Sequence, residues 1–97
     1  MERVKITVDM ADKVRCRVKM LGGDISNAET MDYCIQKSLQ QAKDFCNVHE
    51  FPESAKIYVV EWIVSDYLTE TDGYSRQWER IRRDAEAGLL RYRRMRW

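Results

Sequence analysis

Proline occurs once, at Pro52, and glycine four times, at positions 22, 23, 73 and 88. So few backbone breakers leave long stretches free to continue as helices, and a loop-rich or turn-rich architecture is excluded. No run approaches the roughly 18 consecutive apolar residues that cross a bilayer, and the charged opening MERVKITVDM lacks the apolar centre of a signal peptide. A cytosolic protein is expected. Three cysteines, Cys16, Cys34 and Cys46, form an odd set without a CxxC pair, so neither a disulfide framework nor a zinc cage is implied.

Histidine is equally scarce. The single His49 stands three residues after Cys46, but two ligands without a second pair hold no structural zinc. Glycine-rich phosphate loops, GxSxG elbows and HExxH helices are missing. With no acid, base or nucleophile in a recognisable set, an enzyme is not expected, and neither is a cofactor. The acids Glu61, Asp66, Glu70 and Asp72 read as a solvated face and turn.

What remains is 97 residues, 44% apolar and 34% charged, enough for one domain with one modest core. The expected fold is all-α, a small bundle of about four helices with a short extended N-terminus. In RVKITV, Val4, Ile6 and Val8 alternate as in a strand. Met10, Val14, Val18 and Leu21 then follow helical spacing, giving a helix over 11–21 that Gly22 and Gly23 stop. Ser26 with Glu29 forms a capping-box pattern for a helix over 26–47, whose apolar face carries Ala28, Met31, Ile35, Leu39, Ala42 and Cys46.

Pro52 suits the first turn of a helix over 52–69, where its missing N–H costs nothing. The middle of that helix, IYVVEWIVSDYL, is apolar almost all round. A central core helix reads this way, and so does a helix with an uncovered stripe at an interface; Val60, Val64 and Tyr67 are the candidate subunit contacts. A last helix over 75–95 buries Trp78, Ile81, Ala85, Leu89 and Tyr92 and turns Arg76, Arg80, Arg83, Arg91 and Arg94 to the opposite side. Glu79 with Arg83, Arg80 with Asp84 and Arg82 with Glu86 stand at ion-pair spacing.

The net charge of +1 hides a polarity. Residues 1–70 carry nine basic and twelve acidic side chains, residues 71–97 eight and four, and every late base is arginine. Its planar fork suits fixed contacts to carboxylate or phosphate. An isoelectric point near 7.7 lies below the value of about 9 typical of nucleic-acid domains. RIRRDAEAGLLRYRRM also has no Asn, Gln or Ser to read base edges, which leaves only non-specific backbone contact on that side.

The order of segments resembles the head-tail connector proteins of tailed bacteriophages, also called head-completion or adaptor proteins. ITVDMADKVRCRVKML resembles the family's short opening helix, NAETMDYCIQKSLQQAKDFCN its long second helix, and FPESAKIYVVEWIVSDYL its proline-started apolar helix. YSRQWERIRRDAEAGLLRYRR is similar to the last helix of related completion proteins. Where many members carry a polar or β-rich insertion before that helix, only TETDGY stands here.

The resemblance implies a structural virion protein of the phage neck, present in the bacterial host cytoplasm during assembly. It implies a ring of about twelve copies under the portal protein, closed through heterologous contacts. Such a ring extends the DNA channel and joins head to a neck or tail completion protein. On this reading Arg76, Arg80, Arg83, Arg91 and Arg94 form the docking face and Trp97 is a terminal anchor. Membrane contact is not implied. The alternative is a small helical DNA-associated phage protein, a regulator or packaging accessory; a third is an adaptor that caps a partner protein.

Overall fold

In the computed structural model, described for the backbone of residues 2–93 and the side chains of residues 10–93, the chain is all-α. Four helices follow one another: α1 (Glu2–Met20), α2 (Ala28–Cys46), α3 (Lys56–Asp72) and α4 (Arg76–Leu89). A 3-10 turn, Glu53–Ala55, leads into α3 and another, Leu90–Tyr92, follows α4. Among the described residues no helix is long and apolar enough to cross a membrane.

The extended N-terminus expected over Val4, Ile6 and Val8 is replaced by helix, because α1 already begins at Glu2. The cause lies in the pattern itself: Val4 and Val8 stand four apart, one helical turn, and run in register with Ala11. Six residues of alternation satisfy both periods. Extending the helix from its neighbour adds one hydrogen bond per residue without a new nucleus.

Between α1 and α2 the chain turns tightly. Gly22 takes φ +84, and the Gly23 N–H returns to the Val18 carbonyl at 2.9 Å, closing the helix end. Gly23 touches the core so closely that a Cβ there would lie 2.6 Å from Leu68 and 2.7 Å from Val18. The N-cap of α2 is Asn27, not Ser26: the Asn27 side chain accepts from the Thr30 N–H at 3.0 Å. Ser26 is engaged by Asp24 instead, through its N–H at 2.9 Å and its hydroxyl at 3.0 Å. These two bonds hold the exposed Asp24 carboxyl below the usual carboxylate range.

At its far end α2 stops at Asn47, which adopts the left-handed conformation. Pro52 precedes the 3-10 turn, and α3 runs three residues beyond the expected limit of 69, to Asp72.

The helix α3 is the centre of the core. It packs against α1, α2 and α4, and those neighbours bury Val59, Trp62, Ile63, Val64, Tyr67 and Leu68. Val60, Val64 and Tyr67, expected as subunit contacts, are therefore internal, with exposures of 7, 0 and 1%. Three surrounding helices cover more of α3 than the hydrophobic pattern alone suggested, and of its apolar residues only Ile57, at 66%, stands out to solvent. Tyr67 donates its hydroxyl to the Asp24 carbonyl at 2.6 Å, tying the α1–α2 loop to the core helix. A part-buried ion pair ties α1 as well: Arg17 Nε lies 3.0 Å from both carboxylate oxygens of Glu61.

Gly88 lies inside α4, as it does in the expected last helix. Its missing side chain admits Tyr58: a Cβ at position 88 would meet the Tyr58 ring at 2.3 Å. The glycine therefore sets how closely α3 and α4 approach at this end. Gly88→Ala is expected to destabilise the chain by about 1–3 kcal/mol through overpacking. In a Tyr58→Ala background the same change should instead stabilise by about 1 kcal/mol, the helix-propensity difference. Urea unfolding of the four chains measures both; equal effects in the two backgrounds would refute the contact.

Candidate docking face

The residues Asp72 to Ser75 set the start of α4. Gly73 ends α3 at φ +83, and the Ser75 side chain accepts from the Trp78 N–H at 3.2 Å as the N-cap. Glu79 stands in the first turn, where the helix dipole favours an acid. It accepts from the Tyr74 hydroxyl, a bond that raises the phenol's pKa. From this anchor the wheel is fixed: Trp78, Ala85 and Leu89 are buried against α3, while Arg76, Arg80 and Arg83 are exposed. The expected last helix to residue 95 is shorter, and Arg91 sits in the 3-10 turn after it, also exposed.

Four of the six expected docking residues thus face outward. Arg94 and Trp97 lie outside the described residues. Of the three expected ion pairs two form: Arg83 meets Glu79 at 2.8 Å and Arg82 meets Glu86 at 3.1 Å. Arg80 and Asp84 form none. Arg76, Arg80 and Arg91 are exposed and have no carboxylate partner among the described residues. Ala87 and Leu90 share this side, Leu90 with 56% exposure. The face is a row of cations with an apolar end, fixed on a helix whose other side is in the core.

The sequence reading missed Arg82. Beyond its helical partner Glu86, its Nη1 donates to Asp66 Oδ1 on α3, and its guanidinium lies 3.9 Å from the centre of the Trp62 ring. Asp66 Oδ2 in turn accepts from the buried Ser38 hydroxyl of α2 at 2.7 Å. One carboxylate thereby joins α2, α3 and α4. Glu61 and Asp66 are correspondingly not the solvated face expected of them; each is part-buried and paired with an arginine. The clue available in the sequence is position: Arg82 lies one turn from Trp78 and beside the apolar stripe, whereas Asp66 is the one charged residue between Trp62 and Leu68.

The remaining chemistry is sparse. Burial pushes the Cys34 thiol up, aided by the charge of Glu70, and burial does the same for Cys46. Cys46 is buried while His49 is exposed. Among the described residues no group of three metal-ligating side chains comes together. Compared with known proteins, the chain matches no family model, no curated protein and no solved structure.

The division between internal and outward arginines is testable. Arg82→Ala should cost about 2 kcal/mol, since it strips a part-buried carboxylate of its charge-assisted bonds and uncovers Trp62. Trp fluorescence should move to longer wavelength with it. Arg80→Ala should stay within about 0.5 kcal/mol of the parent, as expected of a solvated side chain. Equal losses measured by denaturant titration would remove the distinction.

Proposed function

We propose that the chain is a structural adaptor, a head-tail connector of a tailed bacteriophage. On this reading it docks through the outward face of α4 on acidic surfaces of the portal protein and of a neck or tail completion protein. The observation that carries the docking face is the set of Arg76, Arg80 and Arg91, exposed and without carboxylate partners among the described residues. The planar guanidinium fork loses less freedom per hydrogen bond formed than a lysine ammonium does, and arginine is among the residues most enriched at the centres of interfaces. The order of helices supports the phage assignment: an opening helix, a long second helix, a proline-led apolar helix and a basic closing helix. Burial of Val60, Val64 and Tyr67 moves self-contact elsewhere, with Ile57 and Leu90 the exposed apolar residues of α3 and of the turn after α4.

A protein partner suits the face better than nucleic acid. Glu79, Asp84 and Glu86 lie on the same helix, and Leu90 offers apolar contact that a phosphate backbone does not use. Assembly in the virion neck, as a ring of about twelve copies, follows from the same reading.

Native mass spectrometry of the purified chain across a concentration series, alone and with isolated portal rings, tests it. Closed rings or a stoichiometric portal complex are expected, and Arg76→Glu with Arg80→Glu should weaken that complex at least tenfold, roughly 1.4 kcal/mol, without loss of fold. A stable dimer that ignores the portal would overturn the connector reading. Tight DNA binding that collapses steeply with salt would move the assignment to a DNA-associated protein.

A further inference from the structure

We propose that the segment closing α4 is a latch: Tyr92 and Arg93 strap the end of α4 onto the end of α2 and the turn ahead of α3, and a carboxylate-rich partner that takes Arg93 opens it. Three contacts converge there. The Tyr92 hydroxyl donates to Ser54 Oγ at 2.9 Å, just ahead of α3. The Arg93 guanidinium stands over the Phe45 ring, 5.1 Å from its centre. The Cys46 thiol donates to the carbonyl of Leu89, the last residue of α4, at 3.6 Å, and is itself wholly buried. Helix α4 gives way at this point to a single 3-10 turn, and at Arg93 the backbone becomes extended.

The strap is made of contacts that open easily. The Tyr92–Ser54 bond is exposed, and the turn carrying it is one hydrogen-bonded loop, Arg93 N–H to Leu90 carbonyl at 3.2 Å. Arg93 has no carboxylate among the described residues; its charge is met by the face of a ring. An exposed cation–π contact is weaker than a charge-assisted bidentate bond, so a partner's carboxylate outcompetes Phe45 for the guanidinium. Release uncovers Phe45, whose ring stands edge-on to Trp62 at 5.4 Å, and lifts the Leu89 carbonyl from Cys46. Docking at Arg93 would therefore uncover more of Phe45, which the free chain keeps half-buried. The latch itself belongs to the chain alone; only its trigger rests on the acidic-partner reading of the docking face.

The three cysteines supply the readout, since Cys16 is exposed while Cys34 and Cys46 are buried. The full chain is treated with iodoacetamide and the labelling rate of each cysteine is followed by mass spectrometry. Tyr92→Phe and Arg93→Ala should each raise the Cys46 rate about fivefold, the loss of one weak contact, with Cys34 unchanged. Arg93→Lys, which keeps a cation over Phe45, should remain within about twofold of the parent. Unchanged Cys46 rates, or Cys34 rising in step with Cys46, would overturn the latch. Poly-L-glutamate should raise the Cys46 rate of the parent chain and leave Arg93→Ala unaltered. If the polymer binds but Cys46 stays protected, the trigger is refuted while the docking face stands. If it does not bind at all, the acidic-partner reading fails and takes the trigger with it, and the two substitutions still decide the latch.

Discussion

A helix that is apolar on nearly every side has to be enclosed, and the enclosure of α3 organises everything else in this chain. Val59, Trp62, Ile63, Val64 and Leu68 point in several directions around one axis, and each direction must meet another helix. α1, α2 and α4 take these positions. The polar groups that α3 does carry are used to fix the neighbours. Glu61 holds Arg17 of α1, and Asp66 holds Ser38 of α2 and Arg82 of α4. Apolar area supplies the attraction in this arrangement, and the two acids specify which helix lies where.

The same enclosure separates two kinds of arginine on α4. Arg82, beside the buried stripe, is spent inside on Asp66, Glu86 and the face of Trp62. Arg76 and Arg80, on the far side of the helix, have no carboxylate partner among the described residues. Counting arginines therefore overstates the docking charge, and the helix wheel corrects it. Arg83 stands between these cases, exposed but held by Glu79. The proposed adaptor role draws on the outward set alone.

How much could be read from the sequence differs by element, for physical reasons. α2 and α4 were legible because one apolar stripe on an otherwise polar helix leaves little freedom: Met31, Ile35, Ala42 and Cys46, and Trp78, Ala85 and Leu89, are buried as their spacing requires. The start of α1 is not legible in the sequence, since Val4, Ile6 and Val8 fit a strand and a helix equally well over so short a stretch. The cap of α2 fell one residue late because Ser26 and Asn27 are comparable caps, and Asp24 competes for the serine. On α3 periodicity said that all sides were apolar but not how many would be covered, so Val60, Val64 and Tyr67 could be assigned to an interface. Of the docking face, the side on which Arg76, Arg80 and Arg83 lie was visible, whereas pairing between helices, as for Arg82 and Asp66, depends on a third dimension that spacing does not contain.

The ion pair between Arg17 and Glu61 also bears on how the chain reaches this form. Its partners are 44 positions apart, against 16 for Arg82 and Asp66 and 28 for Ser38 and Asp66. A longer intervening loop carries a larger closure entropy, so adjacent helical hairpins form at less cost than the return of α1. The pairs α3–α4 and α2–α3 are neighbours along the chain, so their contacts close shorter loops than the return of α1 to α3 does. In vectorial synthesis α1 leaves the ribosome before α3, so Arg17 has to wait for Glu61, 44 positions later.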